Sequence, residues 1–317
     1  MLKVHEFFSV GIQLAYNSAK IINAVRLSSN IGQKWKGIDD PVTIADIQAQ
    51  SYIVKQLHKH WPNLTVIGEE NIQDSQNYDL PDTNLTLYDE TIFNKTHNDK
   101  NIRTQYEIDD LCVWVDPLDG TLDFVKGDYE NVTTLIGVSY KQQALMGIIS
   151  QPFIKLQEPQ NTYQFKPKIY FGHHPQQKLF YINDCTSHIP FELNKPQFDP
   201  LNVRLCTQRN RLTNQELQKI NSLGCQLYQV GGSGKKCLTV LEGQADIFIC
   251  LGVGMSKWDI CAPEALFKTF GGDFLGLAGQ HYVYNPKDKS FDNPYGNISS
   301  IHSELLEKYL PKTQGML

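Results

Sequence analysis

No stretch of the sequence approaches the roughly 20 consecutive apolar residues that a membrane-spanning helix needs. The N-terminus also lacks the short apolar core of a secretion signal. The excess of basic charge that general nucleic-acid binding requires is missing. Formal net charge is −5, from 29 Lys and Arg against 34 Asp and Glu. That leaves room for a small anionic ligand in a local basic pocket and argues against nucleic acid or a membrane as partner. Cysteine is sparse and scattered, at 112, 185, 206, 225, 237, 250 and 261. No two are spaced as C-x-x-C, so zinc-knuckle architecture is excluded. An odd, dispersed set reads as reduced thiols, several of them packing residues within apolar runs. The expected compartment is the cytoplasm, where sequons such as Asn63-Leu64-Thr65 carry no sugar. A G-x-x-x-x-G-K-[ST] phosphate loop is absent.

What is present is organised around Val113-Trp114-Val115-Asp116-Pro117-Leu118-Asp119-Gly120-Thr121. Leu111 to Val115 is an apolar run long enough for one buried strand. Pro117 has no N–H to donate, so the ladder is expected to end there. Two carboxylates three residues apart across such a break can aim at one point. They would repel there unless a cation lay between them. Hard oxygen ligands suit Mg²⁺ or Ca²⁺. Gly120 permits close approach of a ligand, and a helix opening at Thr121 would present free N–H groups to a phosphate. Alone, the motif describes an Asx-rich turn equally well.

The flanking sequence supplies further pieces. Apolar positions from Val4 to Val25 have helical spacing over residues 3–27. Lys34 to Gly37 reads as a connector. Asp39-Asp40-Pro41-Val42-Thr43 leads into a second helix, 44–59, with Asp46 in its first turn, where a carboxylate also favours the helix dipole. Leu64 to Ile67 reads as a strand ending at Gly68-Glu69-Glu70. Residues 71–109 are polar, with weak periodicity, as in a lid or insertion. Asn131 to Val138 and Ala144 to Ser150 form a hairpin stopped at Gln151-Pro152-Phe153. Short strands follow at 168–171 and 179–182. His173 and His174, beside Pro175, read as surface residues. Residues 194–200 read as a linker. Beyond it, strands at 203–207, 225–230 and 245–250 alternate with helices at 213–222, from Gly231-Gly232-Ser233-Gly234 to Glu242, and at 258–270. Such alternation is that of an α/β layer.

Gly68-Glu69-Glu70, Asp116-Pro117-Leu118-Asp119-Gly120-Thr121 and Trp258-Asp259-x-x-Ala262-Pro263-Glu264, in that order, resemble the inositol monophosphatase-like superfamily of metal-dependent, lithium-sensitive phosphatases. The likeness is greatest to its 3′(2′),5′-bisphosphate nucleotidases and covers essentially the whole chain. The resemblance implies an αβαβα layered sandwich, with an α+β half (1–196, carrying the insertion 71–109) and an α/β half (197–317). It implies that Glu69, Asp116, the Leu118 carbonyl, Asp119 and Asp259 hold two or three Mg²⁺ ions. Asp46 and Thr121 fall on the pair that activates the attacking water. Gly120, Thr121, Gly232, Lys236 and Asp259 fall on substrate contacts.

Two departures stand out. Gln208-Arg209-Asn210-Arg211 replaces a segment in which Thr and His flank Arg-Ser, so Gln208 and Arg211 are the expected contacts there. Leu122-Asp123 stands where the nucleotidases usually carry Lys-Glu. The expected activity is hydrolysis of the 3′-phosphate of adenosine 3′,5′-bisphosphate, by a monomer acting on a small molecule. An inositol (poly)phosphate phosphatase is the alternative. A non-catalytic metal- or nucleotide-binding protein is a third, against which the retention of both Asp46 and Thr121 argues.

Overall fold

The computed structural model describes residues 1–70, 102–156, 162–183, 190–209, 212–252 and 254–316. The first half runs β1 (Leu2–Lys3), α1 (Val4–Leu27), β2 (Lys34–Gly37), β3 (Asp40–Val42), α2 (Ile44–His60), β4 (Thr65–Gly68), β5 (Gln105–Tyr106), β6 (Leu111–Asp119), α3 (Thr121–Lys126), β7 (Thr133–Tyr140), β8 (Gln143–Lys155), β9 (Tyr163–His173), β10 (Lys178–Asn183) and β11 (Phe191–Glu192). The second runs β12 (Arg204–Gln208), α4 (Asn214–Asn221), β13 (Gln226–Val230), α5 (Ser233–Leu241), β14 (Ile247–Cys250), α6 (Lys257–Thr269), β15 (Asp273–Leu275), β16 (Asn297–Ser300) and α7 (Ser303–Thr313).

Two large sheets result. One has seven strands in the order β11-β10-β9-β8-β7-β6-β4, the other five in the order β13-β12-β14-β16-β15. Within the first, only β4 and β6 pair in parallel. Period-two alternation divides each strand's side chains between two cores. On β6, Val113 and Val115 join the core beneath α1 and α2, while Cys112 and Trp114 join the core shared with α5 and α6. On β14, Phe248 and Cys250 enter that shared core, while Ile247 and Ile249 pack with Leu305, Leu306 and Tyr309 of α7. Helices, sheet, helices, sheet, helices is the expected αβαβα order. Trp114 is fully buried, donates through Nε1 to Ser139 Oγ at 3.0 Å and lies against Phe291. Truncating it to Ala would cost about 3–5 kcal/mol.

The contact of α6 with the first sheet is unusually close. A Cβ on Gly137 would come 2.5 Å from the Ala262 nitrogen, and one on Gly147 would overlap the Ala262 carbonyl. Glycine at both positions brings the helix that carries Asp259 down onto the sheet.

Several expectations are corrected. Neither Pro117 nor Pro152 stops its strand. Each sits within a register shift, between Asp116 and Asp119 on β6 and between Gln151 and Phe153 on β8. At a bulge the missing N–H costs no ladder bond. Lys34 to Gly37 is a strand paired with β3; all four residues are exposed, so no apolar alternation marked it. His173 is buried, not on the surface. β9 extends two residues past Phe171 and brings its Nε2 2.9 Å from the Tyr106 hydroxyl. His174 is partly buried, its Nδ1 3.3 Å from the Lys268 carbonyl. Most of the polar segment 71–109 lies outside the described residues; its end forms β5, paired with β1.

Candidate active site

The bulge on β6 builds the first part of the site. Asp116 pairs opposite Leu135 and Asp119 opposite Thr133, so Pro117 and Leu118 together face the single residue Thr134. In a regular strand, residues three apart point to opposite faces. The extra residue puts both carboxylates on the face of Leu135 and Thr133, toward the central layer. Asp116 Oδ1 accepts the Leu118 N–H at 3.0 Å. Asp119 accepts the Thr133 hydroxyl and the backbone N–H groups of Ser233 and Gly234, each at 2.8 Å. The last two are the free amides of the first turn of α5, where an anion is favoured.

Asp259 arrives from the other side, in the first turn of α6, accepting the Ser256 N–H at 2.6 Å. Oxygens of Asp116, Asp119 and Asp259 lie within 4.8 Å of one another. Glu69 follows β4, whose Gly68 pairs with Val115, and donates its N–H to the Val115 carbonyl at 3.0 Å. It therefore stands beside Asp116 at the carboxyl ends of two parallel strands, where α/β ligands bind. Lys36 bridges Glu69 and Glu70 at 2.7 and 2.9 Å. Burial alone would lower the Lys36 pKa; the two carboxylates outweigh it and raise the value.

The electrostatics test the fit of a cation. Burial, then repulsion from Glu69, Asp259 and Asp119, holds Asp116 well above the ordinary carboxylate range. Burial, then Asp119 and Glu69, does the same to Asp259. Burial also raises Glu69, against the pull of Lys36. Buried, mutually repelling carboxylates are an arrangement that a divalent cation relieves. The donors are all oxygen, which fits Mg²⁺ better than zinc or copper.

Asp46 lies behind this cluster, buried in the first turn of α2. Its Oδ2 accepts the Thr43 N–H and hydroxyl at 2.8 and 2.6 Å, forming a capping box. Its Oδ1 lies 2.9 Å from the Thr121 hydroxyl, which is also 2.9 Å from the Leu118 carbonyl. Burial pushes Asp46 up to about 7, against the hydrogen bonds from Thr43 and Thr121.

These groups border one cleft of about 540 Å³, whose lining includes Glu69, Asp116, Leu118, Asp119, Gly120, Thr121, Gly232, Lys236 and Asp259. Asp46 reaches it only through Thr121. Gly232 adopts φ 58°, and a Cβ there would overlap the Asn131 carbonyl, so the turn before α5 admits only glycine. Lys236 donates to the Gly232 carbonyl at 2.6 Å and stiffens that turn. Gln208, at the end of β12, donates to the Leu251 carbonyl at 3.0 Å, while its Oε1 has no partner among the described residues. Arg211 lies outside the described residues. Its neighbour Arg209 borders the cleft, paired with Asp123 and Asp128. No local sequence signal marked that pair.

Comparison with known proteins places the chain among relatives of known family. The 3′(2′),5′-bisphosphate nucleotidase 1 of Dictyostelium discoideum is 31% identical over 313 residues, covering 98% of this chain and 96% of that protein. Its Homo sapiens namesake is 28% identical over 299 residues, covering 92% and 89%. An IMPase/NADP phosphatase solved with NADP and Ca²⁺ matches with TM-score 0.67 at 14% identity, over 99% of this chain and 97% of that one. The sequence profile described as the inositol monophosphatase family spans residues 3–314, and the chain belongs to that family.

Proposed function

We propose that this chain is a Mg²⁺-dependent phosphomonoesterase that converts adenosine 3′,5′-bisphosphate to AMP and phosphate. The carrying observation is the convergence of Asp116, Asp119 and Asp259 within 4.8 Å on the cleft that also holds Thr121. The names of the Dictyostelium and human relatives support the choice of substrate.

Glu69, Asp116, the Leu118 carbonyl, Asp119 and Asp259 would hold two or three ions. When bound, these ions offset the charge of the phosphate and make water more acidic. The protein's own residues do the rest. Thr121 donates its proton to Asp46, leaving its oxygen lone pairs to accept from a water in the cleft and align it. Asp46 is poised to take the proton passed through that hydroxyl. Water oxygen bonds to phosphorus, the bond from phosphorus to the 3′-oxygen breaks, and that oxygen takes a proton from solvent water, Asp46 afterwards returning its own proton to solvent. Gly120, Gly232 and Lys236 contact the substrate beside the reacting group. Gln208 and Arg211 contact it farther away. The working unit is a monomer of two halves, 1–196 and 197–317, acting in the cytoplasm.

The test is phosphate release with Mg²⁺ from adenosine 3′,5′-bisphosphate, its 2′,5′ isomer, AMP and a set of inositol phosphates. Preference for the adenosine bisphosphates supports the proposal. Preference for inositol phosphates transfers the assignment to them, and metal binding without release from any substrate leaves a non-catalytic binder. Li⁺ should inhibit where Na⁺ does not.

A further inference from the structure

Helix α3 is six residues long, and no side chain caps its N-terminus, where Gly120 adopts φ 84°. A helix that short is not stable alone. Yet its first residue is Thr121, whose hydroxyl must stay on Asp46. Contacts outside the helix must therefore fix it. Phe124 supplies one, packing edge-on to Tyr129 with ring centres 5.5 Å apart. Asp123 supplies another. Its carboxylate is buried, and it lies so close over Gly231 that any side chain at 231 would overlap it. It accepts from Nη2 of Arg209. The same Nη2 donates to Asp128 at 2.9 Å, just past the end of α3. The Asp128 N–H in turn donates to the Asp123 carbonyl at 2.9 Å. Arg209 follows β12 in the other sheet, its N–H 3.3 Å from the Val230 carbonyl.

Arg209 borders the cleft, which suggests an anchor for a phosphate. Two carboxylates against one guanidinium leave a local charge of about −1, and that repels an anion. We propose instead that Arg209 is a positioning residue for Thr121. Its ion pairs with Asp123 and Asp128 brace α3 from the second sheet, at the position where Thr121 reaches Asp46. The inference rests on Thr121 aligning the attacking water.

The test compares wild type with Arg209→Met and Arg209→Lys. In Arg209→Met, kcat on adenosine 3′,5′-bisphosphate should fall on the order of tenfold, with KM and calorimetric Mg²⁺ affinity held within about twofold. Arg209→Lys should restore part of the loss. Amide exchange over residues 121–128 should quicken in Arg209→Met while that of β7 stays unchanged. A rise in KM at constant kcat would make Arg209 a phosphate ligand and overturn the proposal. So would unchanged exchange over 121–128. If wild type releases no phosphate from any substrate, the proposed activity has failed, and the exchange measurement still decides whether the brace exists. Asp123→Asn removes the same ion pair at equal volume, should Arg209→Met fail to fold.

Discussion

Gly147 on β8 lies directly beneath Ala262 of α6, close enough that a methyl group would overlap the Ala262 carbonyl. The spacing between helix and sheet at this point sets the height of Asp259, three residues earlier. Gly147→Ala should lower stability by about 1–3 kcal/mol, since overpacking forces a backbone shift. It should also weaken Mg²⁺ binding, because the shift moves Asp259 away from Asp116 and Asp119. Denaturant midpoints and calorimetry read the two effects. Lost stability with unchanged Mg²⁺ affinity would show that helix height does not govern the site.

Asp259→Asn should abolish most activity without harming the fold. Asn keeps an oxygen that can accept the Ser256 N–H, so the helix start survives. It also removes one of the mutually repelling carboxylates. The metal-free variant should therefore melt no lower than wild type, while the stabilisation given by Mg²⁺ shrinks. Near wild-type turnover with an intact Mg²⁺ response would dismiss Asp259 as a ligand.

Thr121→Ala and Asp46→Asn should both lower kcat far more than they raise KM, because alignment of water matters in the transition state. Asp46 also holds the Thr43 N–H and hydroxyl at the start of α2, both on Oδ2. Asn keeps an oxygen that can accept both, so Asp46→Asn should spare the helix start, whereas Asp46→Ala should lose on the order of 1 kcal/mol of stability there. A change confined to KM in both would make the pair structural.

The carboxylates also set a pH dependence. Asp46, Glu69, Asp116 and Asp259 all lie above the ordinary carboxylate range in the metal-free protein, Asp46 at about 7. A raised acid holds its proton more tightly folded than unfolded. Its contribution to stability is complete below the unfolded value of about 4 and is lost as pH rises through the folded value. Mg²⁺ favours the ionised forms and must displace those protons. The rise in Tm on adding Mg²⁺ should thus be larger near pH 8 than near about pH 5.5. A metal effect independent of pH across this window would contradict the assignment.

The site was legible where a residue type broke a strong local pattern. A carboxylate next to Pro or Gly at the end of an apolar strand is costly to bury, so Asp116 and Asp119 stood out. Asp46 carried two readings: it caps α2, and its Oδ1 lies 2.9 Å from the Thr121 hydroxyl, the contact on which the proposed catalytic role rests. The missed features have no local signature. Asp123 and Arg209 are 86 residues apart, and nothing in either segment announces the other. His173 continues a strand past the apolar residues that defined it. β2 stands off the core, so its exposed Lys-Trp-Lys-Gly gave no alternation. β15 and β16 are only three and four residues long and left no periodicity to count.

The bulge at Pro117 and Leu118 bears on how this protein tolerates inherited change. The Leu118 N–H goes to Asp116 and its carbonyl lies near the Thr121 hydroxyl, so the peptide units here serve the site and not an unbroken ladder. The oxygen proposed as a ligand at 118 belongs to the main chain. Codon substitutions at that position alter a buried apolar side chain and leave the donor atom in place. The Ser233 amide that grips Asp119 is main chain as well, whereas at Gly234, whose amide also reaches Asp119, a Cβ would overlap the Thr133 hydroxyl. Lineages could therefore drift freely in letter at 118 within the limits of packing, yet not in length between Asp116 and Thr121. An insertion or deletion there would erase a donor that no single-residue replacement can reach.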